Sequence, residues 1–454
     1  MNITVIGCGY VGLVTGVSLA KYGHNVVCID KDKDKVKSIN QSKAPFYEPQ
    51  LNLNLEKLIK EKKIEATTDF QKSIINSDIS ILTVGTPTSA SGIDLSQIKE
   101  AAEQLGEALK DKKSYHLVVV KSTVVPKTTE DFIKPILEKY SRKRAGEFGL
   151  CMSPEFLREG NAIEDALDPD RIVVGQYDPR SGKAFALLYK NLKTTLLFTN
   201  LQTAEMIKYA TNALFASLIS FSNEIARISE KISGIDVLDV WEGVHLDKRL
   251  SPINGKTRIK PGILNYILSG AGFGGSCLPK DTKALISFAN KIGEEPKLLR
   301  SVISINKTQP HRLILLLKSA IGENLKNMKI AVLGLTFKPN TDDVRESPAF
   351  PVINALLLEG ADIICHDPKA YKESVPKQLS KMPVAFVNTV DEAIRGADAV
   401  IIITAWEEYT KLTPKFFKKH MRRPIIIDGR RIYDKSSFIS AGIIYKGIGY
   451  SGVS

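Results

Sequence analysis

A glycine-rich turn held between an apolar strand and a helix constrains this chain most. Gly7-Cys8-Gly9-Tyr10-Val11-Gly12 follows the apolar run Asn2–Ile6 and opens a helical pattern over residues 10–22. In a G-x-G-x-x-G turn the first glycine permits the tight bend and the second lets the backbone approach a pyrophosphate. The third lets helix and strand pack closely. Free N–H groups at the helix start favour an anion there. Asp30 closes the next strand, Asn25–Ile29, at the spacing of a carboxylate that binds a ribose hydroxyl. It would repel a 2′-phosphate, so the turn favours NAD over NADP, although Lys31, Lys33 and Lys35 stand close by. Alone, the glycine pattern also fits a turn in some other doubly wound protein; Asp30 and the flanking strand and helix are what strengthen it.

Further strand-like runs fall at 79–84, Leu117–Val120, Gly149–Met152 and 171–175, with helical patterns at 31–39, 95–109 and near 182–190. Short buried strands alternating with helices predict a parallel, doubly wound sheet. From Gln202 long helices take over, the longest over 202–231, with no strand signal before about Lys329. Such a segment commonly bridges domains or forms a subunit interface. Alternation resumes with strands at Lys329–Leu333, Asp362–His366, 399–403 and 424–427 and a helix over 349–359. Residues 1–7 echo 328–334, and 77–84 echo 397–404. The expectation is an α/β chain of two Rossmann-like doubly wound domains, 1–195 and 311–454, joined by a central long-helix segment, 196–310.

The chain has 454 residues, 43% of them hydrophobic, enough for two or three domains with real cores. A net charge of +13 raises nucleic-acid binding. The basic residues are spread along the chain, however, and no aromatic-interleaved basic patch appears, so no nucleic acid is expected. A lysine-rich surface also attracts phosphate-bearing small molecules. The five cysteines lack paired spacing, which argues for a reducing, cytoplasmic setting, and the six histidines lack metal-ligand spacing. No apolar run reaches membrane length and no signal peptide is recognised, so no membrane is expected.

The segment Gly272-Phe273-Gly274-Gly275-Ser276-Cys277-Leu278-Pro279-Lys280-Asp281 carries the most chemistry. Its glycines let backbone come close to something, and an ammonium beside a cysteine favours the thiolate that nucleophilic attack needs. Asp281 could take a proton or anchor a base through water. Taken singly, a cysteine in a glycine loop is more often a buried, inert one, and Cys8, Cys28 and Cys151 read that way. On the central helix Glu205, Lys208 and Asn212 share one face. They could hold an oxyanion, but spacing alone favours a solvated stripe. Glu155 and Glu159 follow a strand, as base and ligand-orienting group or as the charged first turn of a helix. Val84-Gly85-Thr86-Pro87 and Lys121-Ser122-Thr123 follow strands at the edge where α/β sheets bind ligands, or are only turns with local capping.

These motifs, with 334–348 (Gly-Leu-Thr-Phe-Lys-Pro-Asn-Thr-Asp-Asp-Val-Arg-Glu-Ser-Pro), occur in an order that resembles the UDP-glucose/GDP-mannose dehydrogenase family over nearly the whole chain. The resemblance implies NAD-dependent four-electron oxidation of UDP-glucose at C6 to UDP-glucuronate, through a thiohemiacetal and a thioester on Cys277. Lys208, Asn212 and Asp281 would assist hydride abstraction and hold the oxyanion, and Thr123 and Glu155 would place the hydrolytic water. NAD contacts would be Gly7, Gly9, Val11, Gly12, Asp30, Lys35, Thr86, Thr123, Glu159, Lys280 and Arg345. Contacts to the nucleotide sugar would be Glu155, Phe156, Leu157, Glu159, Lys208, Asn212, Arg258, Tyr266, Gly274 and Lys338. Residues 1–195 would hold NAD, 196–310 the cysteine and a homodimer interface through the long helix, and 311–454 the uridine diphosphate.

The chain departs from the family between Trp241 and Gly272, where a short Arg-Ile-Gly segment is usual and both Arg249 and Arg258 are candidates. Residues 205–209 and 156–159 look somewhat like GDP-mannose enzymes, whereas 427–434 and 447–449 look like UDP-glucose enzymes. The tail belongs to the nucleotide-binding domain, so UDP-glucose is preferred and GDP-mannose is the alternative. A two-electron nucleotide-sugar dehydrogenase or epimerase, and a non-enzymatic sensor, would have no use for the cysteine loop.

Overall fold

The computed structural model describes residues 1–89, 92–371, 374–375 and 383–450. The chain divides into two compact units, residues 1–211 with 287–292, and residues 212–286 with 293–454.

The first unit is built on β1 (Asn2–Ile6), β2 (Asn25–Ile29), β3 (Ile64–Thr67) and β4 (Ile79–Leu82), then a small hairpin of β5 (Thr88–Ser89) and β6 (Gly92–Ile93), then β7 (Leu117–Val120), β8 (Gly149–Met152), β9 (Arg171–Gln176) and β10 (Thr195–Thr199). The sheet order is β10-β9-β8-β7-β4-β1-β2-β3. Its β3-β2-β1-β4-β7-β8 portion has the strand order of a dinucleotide-binding fold, with the reversal point beside β1. β4, β7 and β8 are buried along their whole length because helices cover both faces, which is why they read as unbroken apolar runs.

The structure departs from the sequence expectation at the edges. β9 pairs with β8 in the antiparallel sense, so β9 and β10 run against the rest of the sheet. β3 (Ile-Glu-Ala-Thr) is four residues long after a lysine-rich turn, and β10 is a mostly exposed edge strand. β3 lacks the unbroken apolar run that marks a central strand. The helix Leu51–Lys60 was not anticipated either.

One helix, Leu201–Ser229, passes from the first unit into the second between Thr211 and Asn212. The second unit adds a hairpin of β11 (Ile253–Asn254) and β12 (Thr257–Arg258). This overturns the expectation of no strand before Lys329. Gly255, at φ +60°, takes the first position of its two-residue turn, where primed hairpin turns favour glycine. A six-stranded sheet follows: β13 (Lys329–Leu333), β14 (Asp362–His366), β15 (Val384–Phe386), β16 (Ala399–Ile402), β17 (Ile425–Asp428) and β18 (Ile444–Gly447). Its order, β15-β14-β13-β16-β17-β18, repeats that of the first sheet, and all its pairings are parallel.

The internal echo is structural. Residues 1–7 and 328–334 lead through β1 and β13, and 77–84 and 397–404 through β4 and β16. Gly7 and Gly334 both turn at φ +101°. The N–H after each bend donates to a carboxylate at the end of the neighbouring strand, Cys8 to Asp30 at 2.9 Å and Leu335 to Asp367 at 2.7 Å.

Candidate active site

In the first unit the fingerprint turn is braced by Asp30. One of its oxygens accepts the Cys8 N–H and the other the Asp32 N–H at 3.0 Å, and the Lys35 ammonium stands 3.8 Å away. Packing demands glycine at Gly12, where a Cβ would strike the Gly7 carbonyl oxygen. A Cβ on Gly9 would meet nothing within 4 Å, so protein packing does not require glycine there. Close approach of a bound pyrophosphate does, and the turn therefore fits a dinucleotide. Val11 lies in the first turn of the helix Tyr10–Lys21. The Thr86 hydroxyl donates to the Thr123 carbonyl at 2.6 Å, joining the loops after β4 and β7.

The loop after β8 is irregular from Ser153 to Gly160, so Glu155 and Glu159 are not the first turn of a helix; the helix begins at Ala162. Both glutamates are buried. Glu155 accepts the Leu157 N–H at 2.7 Å and pairs with the Lys208 ammonium at 3.0 Å. Burial alone would raise the Glu155 carboxyl, but Lys208, by charge and hydrogen bond, with the Leu157 N–H and Lys121, holds it below the ordinary range. The Phe156 ring lies under the Arg171 guanidinium at 4.2 Å and near the Lys208 ammonium at 5.5 Å, while Leu157 packs on the sheet's core. Lys121 donates to the Ser153 carbonyl at 3.5 Å, and burial, against the pull of Glu155, lowers its ammonium to about 8.

The polar stripe on the helix Leu201–Ser229 is not solvated: Glu205, Lys208 and Asn212 are all buried. Each has a partner distant in sequence. Glu205 accepts the Lys127 and Thr129 N–H groups at 2.7 and 2.8 Å, where the π-helical turn Thr128–Ile133 starts. Burial pushes its carboxyl up to about 7.

In the second unit Asn212 donates to the Asp281 carboxylate at 2.6 Å, and Lys280 sits on the other Asp281 oxygen at 2.5 Å. Cys277 immediately precedes the helix Leu278–Lys291, and its carbonyl accepts the Asp281 N–H, closing the first turn. Cys277 is half-buried, whereas Cys8, Cys28, Cys151 and Cys365 are buried. The glycines before it are required by packing. A Cβ at Gly274 would collide with the Glu346 carbonyl oxygen, and one at Gly275 would lie 2.7 Å from the Phe337 ring. The Gly275 N–H donates to the Arg345 carbonyl at 2.8 Å, while the Arg345 guanidinium pairs with Asp343. Lys338 lies 5.6 Å above the Phe337 ring.

Tyr266 stacks on Phe215, ring centroids 4.1 Å apart. Of the two candidate arginines, Arg249 is exposed and paired with Asp247, and Arg258 holds the Leu246 and Ser251 carbonyls of its own loop at 2.7 and 3.0 Å. Sequence reasoning missed the residues that clamp the cysteine loop. Asn306 bonds both backbone groups of Phe273, Gln309 donates to the Gly270 carbonyl, and Arg430 donates to that of Gly272. Asn306 and Gln309 look like ordinary helix-surface polars in sequence. Arg430 was visible only as part of the tail motif.

The doubled Rossmann order and the braced glycine turn define an NAD-dependent oxidoreductase. Three family models cover most of the chain: the NAD binding domain of the UDP-glucose/GDP-mannose dehydrogenase family matches residues 1–193, its central domain 202–308 and its UDP binding domain 331–435. A UDP-glucose 6-dehydrogenase of Haloferax volcanii is 40% identical over 95% of this chain and 97% of its own length. One from Bacillus subtilis is 37% identical over 100% and 98%. The solved UDP-glucose dehydrogenase of Pyrobaculum islandicum superposes with a TM-score of 0.88 at 35% identity, covering 99% of this chain and 97% of that one. The chain belongs to the UDP-glucose/GDP-mannose dehydrogenase family.

Proposed function

We propose that the chain oxidises UDP-glucose twice at C6, to UDP-glucuronate, through a thioester on Cys277. One observation carries this reading. A half-buried thiol heads a helix whose first turn holds Lys280 and Asp281, and Asn212 is bonded to that same carboxylate. The preference for UDP-glucose rests on the names of the relatives at 37–40% identity and on the tail motif at 427–434.

When bound, NAD accepts a hydride from C6 in each of the two oxidations. The chain's residues do the rest. Asp281, through water, takes the C6 hydroxyl proton, and Lys208 and Asn212 stabilise the oxygen as negative charge develops on it. The Cys277 thiolate, which a neighbouring ammonium favours over the thiol, adds to the aldehyde carbon to give a thiohemiacetal. Loss of the second hydride, with the hydroxyl proton passed through water to Asp281, leaves a thioester. Thr123 and Glu155 place the water that attacks it; the C–S bond breaks, one water proton passes to the sulfur and the other to solvent, and the carboxylate leaves with Cys277 restored as thiol. Splitting the oxidation this way keeps the aldehyde attached to the protein.

Gly7, Gly9, Val11, Gly12, Asp30, Lys35, Thr86, Thr123, Glu159, Lys280 and Arg345 would hold NAD. Phe156, Leu157, Glu159, Arg258, Tyr266, Gly274 and Lys338 would hold the nucleotide sugar with Glu155, Lys208 and Asn212. In this scheme residues 1–195 serve NAD, 196–310 the cysteine and 311–454 the uridine diphosphate. The exposed Leu214, Phe221 and Ile228 recur every seven residues along the long helix and suit a homodimer through it. Reduced thiols suit a cytoplasmic setting. No helix among the described residues is long and apolar enough to cross a membrane.

The test is NADH formed per sugar consumed, across UDP- and GDP-sugars. Two NADH per UDP-glucose, abolished by Cys277→Ser, is the expected outcome. A ratio of one, or normal turnover in the serine variant, would exclude the thioester route, and a preference for GDP-mannose would move the substrate.

A further inference from the structure

The carboxylate of Glu48 has no part in the chemistry above, yet it is among the most heavily engaged in the first unit. It is 5% exposed. One oxygen accepts the Tyr10 hydroxyl at 2.5 Å and the Gly160 N–H at 2.7 Å; the other accepts the Ala162 N–H at 2.7 Å. Tyr10 is the first residue of the fingerprint helix, and its ring rests against Phe46, two residues before Glu48, with centroids 5.0 Å apart. Gly160 ends the irregular loop that carries Glu155 and Glu159, and Ala162 starts the helix after it. A carboxylate has about four acceptor sites, and here three are filled by donors from two separate parts of the fold. Burial, then Glu48 itself, pushes the Tyr10 phenol far up, so Tyr10 stays a donor to it.

We infer that Glu48 is a positioning residue, which ties the Glu155–Gly160 loop to the first turn of the nucleotide-binding helix through Tyr10, Gly160 and Ala162. The physical need is plain. From Ser153 to Gly160 the chain has neither helix nor strand to hold it. Glu155 must nevertheless keep its place beside Lys208 while the fingerprint turn fixes the dinucleotide. Charge-assisted bonds from one buried carboxylate are short and strongly directional, so they hold the two parts in register. Glu48 touches neither reacting atom and acts through the loop. The inference rests on the proposed function, in which Glu155 helps place the hydrolytic water.

The test uses the full-length chain with NAD and UDP-glucose, and three variants: Glu48→Gln, Tyr10→Phe and the double. Glutamine keeps the shape of Glu48, but its amide nitrogen cannot accept an N–H. Active sites are titrated first, so kcat is counted per competent site. Glu48→Gln should lower kcat about tenfold while kcat/KM for each substrate stays within about threefold, because the step that suffers follows acyl formation and substrate capture is untouched. It should also show a burst of two NADH per site, with a nucleotide-sugar acyl adduct on Cys277 in the quenched protein's mass. A merely structural role would lower the titre and leave the burst unchanged.

Tyr10→Phe, which removes one hydroxyl, should give a weaker form of the same burst, and the double variant should be no slower than Glu48→Gln. Should Glu48→Gln fail to fold, Tyr10→Phe decides alone. Wild-type kcat per site without adduct, in whichever variants fold, overturns the proposal. A wild type that makes no NADH from UDP-glucose overturns the function, and the role of Glu48 with it.

Discussion

Asn212 and Asp281 stand 69 positions apart in sequence, yet the amide of one donates to the carboxylate of the other at 2.6 Å, with both side chains buried. Lys280 occupies the second Asp281 oxygen at 2.5 Å, so the carboxylate is held from two sides. Asp281→Asn would set an amide nitrogen against one of these donors. If Asp281 relays the C6 hydroxyl proton, kcat should fall about 10²- to 10⁴-fold, with little change in UDP-glucose affinity measured by calorimetry. A kcat within a few-fold of wild type would remove Asp281 from the chemistry.

Gly274→Ala should damage the cysteine loop without touching any side chain that reacts. The added methyl would meet the Glu346 carbonyl oxygen and lie 3.0 Å from the Phe337 Cβ. The loop must shift, and a displacement of about 1 Å at a nucleophile is enough to cost about a hundredfold in kcat. Steady-state kinetics on the folded variant check this, and undiminished turnover would show that the loop accommodates the methyl.

Two buried glutamates give opposite pH dependence. Glu205 binds its proton more tightly when folded, up to about 7 from 4.5, because burial outweighs the N–H groups it accepts. Its contribution therefore weakens stability as pH rises from about 4.5 through about 7, by roughly 3 kcal/mol in all. Glu155 is held below 4.5 because Lys208, the Leu157 N–H and Lys121 together outweigh burial, so its contribution is present above 4.5 and is lost as pH falls through the depressed value. Urea titrations from pH 5 to 8 should show Glu205→Gln with a smaller loss of stability toward high pH than wild type. Parallel curves for the two proteins would contradict this.

Lys112→Met should destabilise the first unit while leaving kcat alone. The buried Lys112 ammonium donates to the carbonyls of Ile74, Ile75 and Ser77 at 3.2, 2.7 and 2.6 Å, just where the helix Phe70–Ile75 ends. Methionine fills the stem's volume but leaves those acceptors without their donor, at a cost of roughly 2–4 kcal/mol. The urea midpoint reads it out, and an unchanged midpoint would mean that water replaces the ammonium.

What the sequence determined by itself was local and periodic. The glycine turn, Asp30 at the end of β2, the apolar strands β1, β4, β7, β8 and β13, and the shared face of Glu205, Lys208 and Asn212 all follow from spacing along the chain. Tertiary structure decided whether that face met water or protein. Spacing favoured water, and the fold instead buried all three residues against Lys127 and Thr129, Glu155, and Asp281. It also decided the reversed direction of β9 and β10, the hold of Glu48 on the 160–162 backbone, and the grip of Asn306 on the cysteine loop. The reason is that burial of a polar side chain is favourable only when a partner arrives with it. Those partners come from 33 to 114 positions away, a range over which hydrophobic periodicity carries no signal.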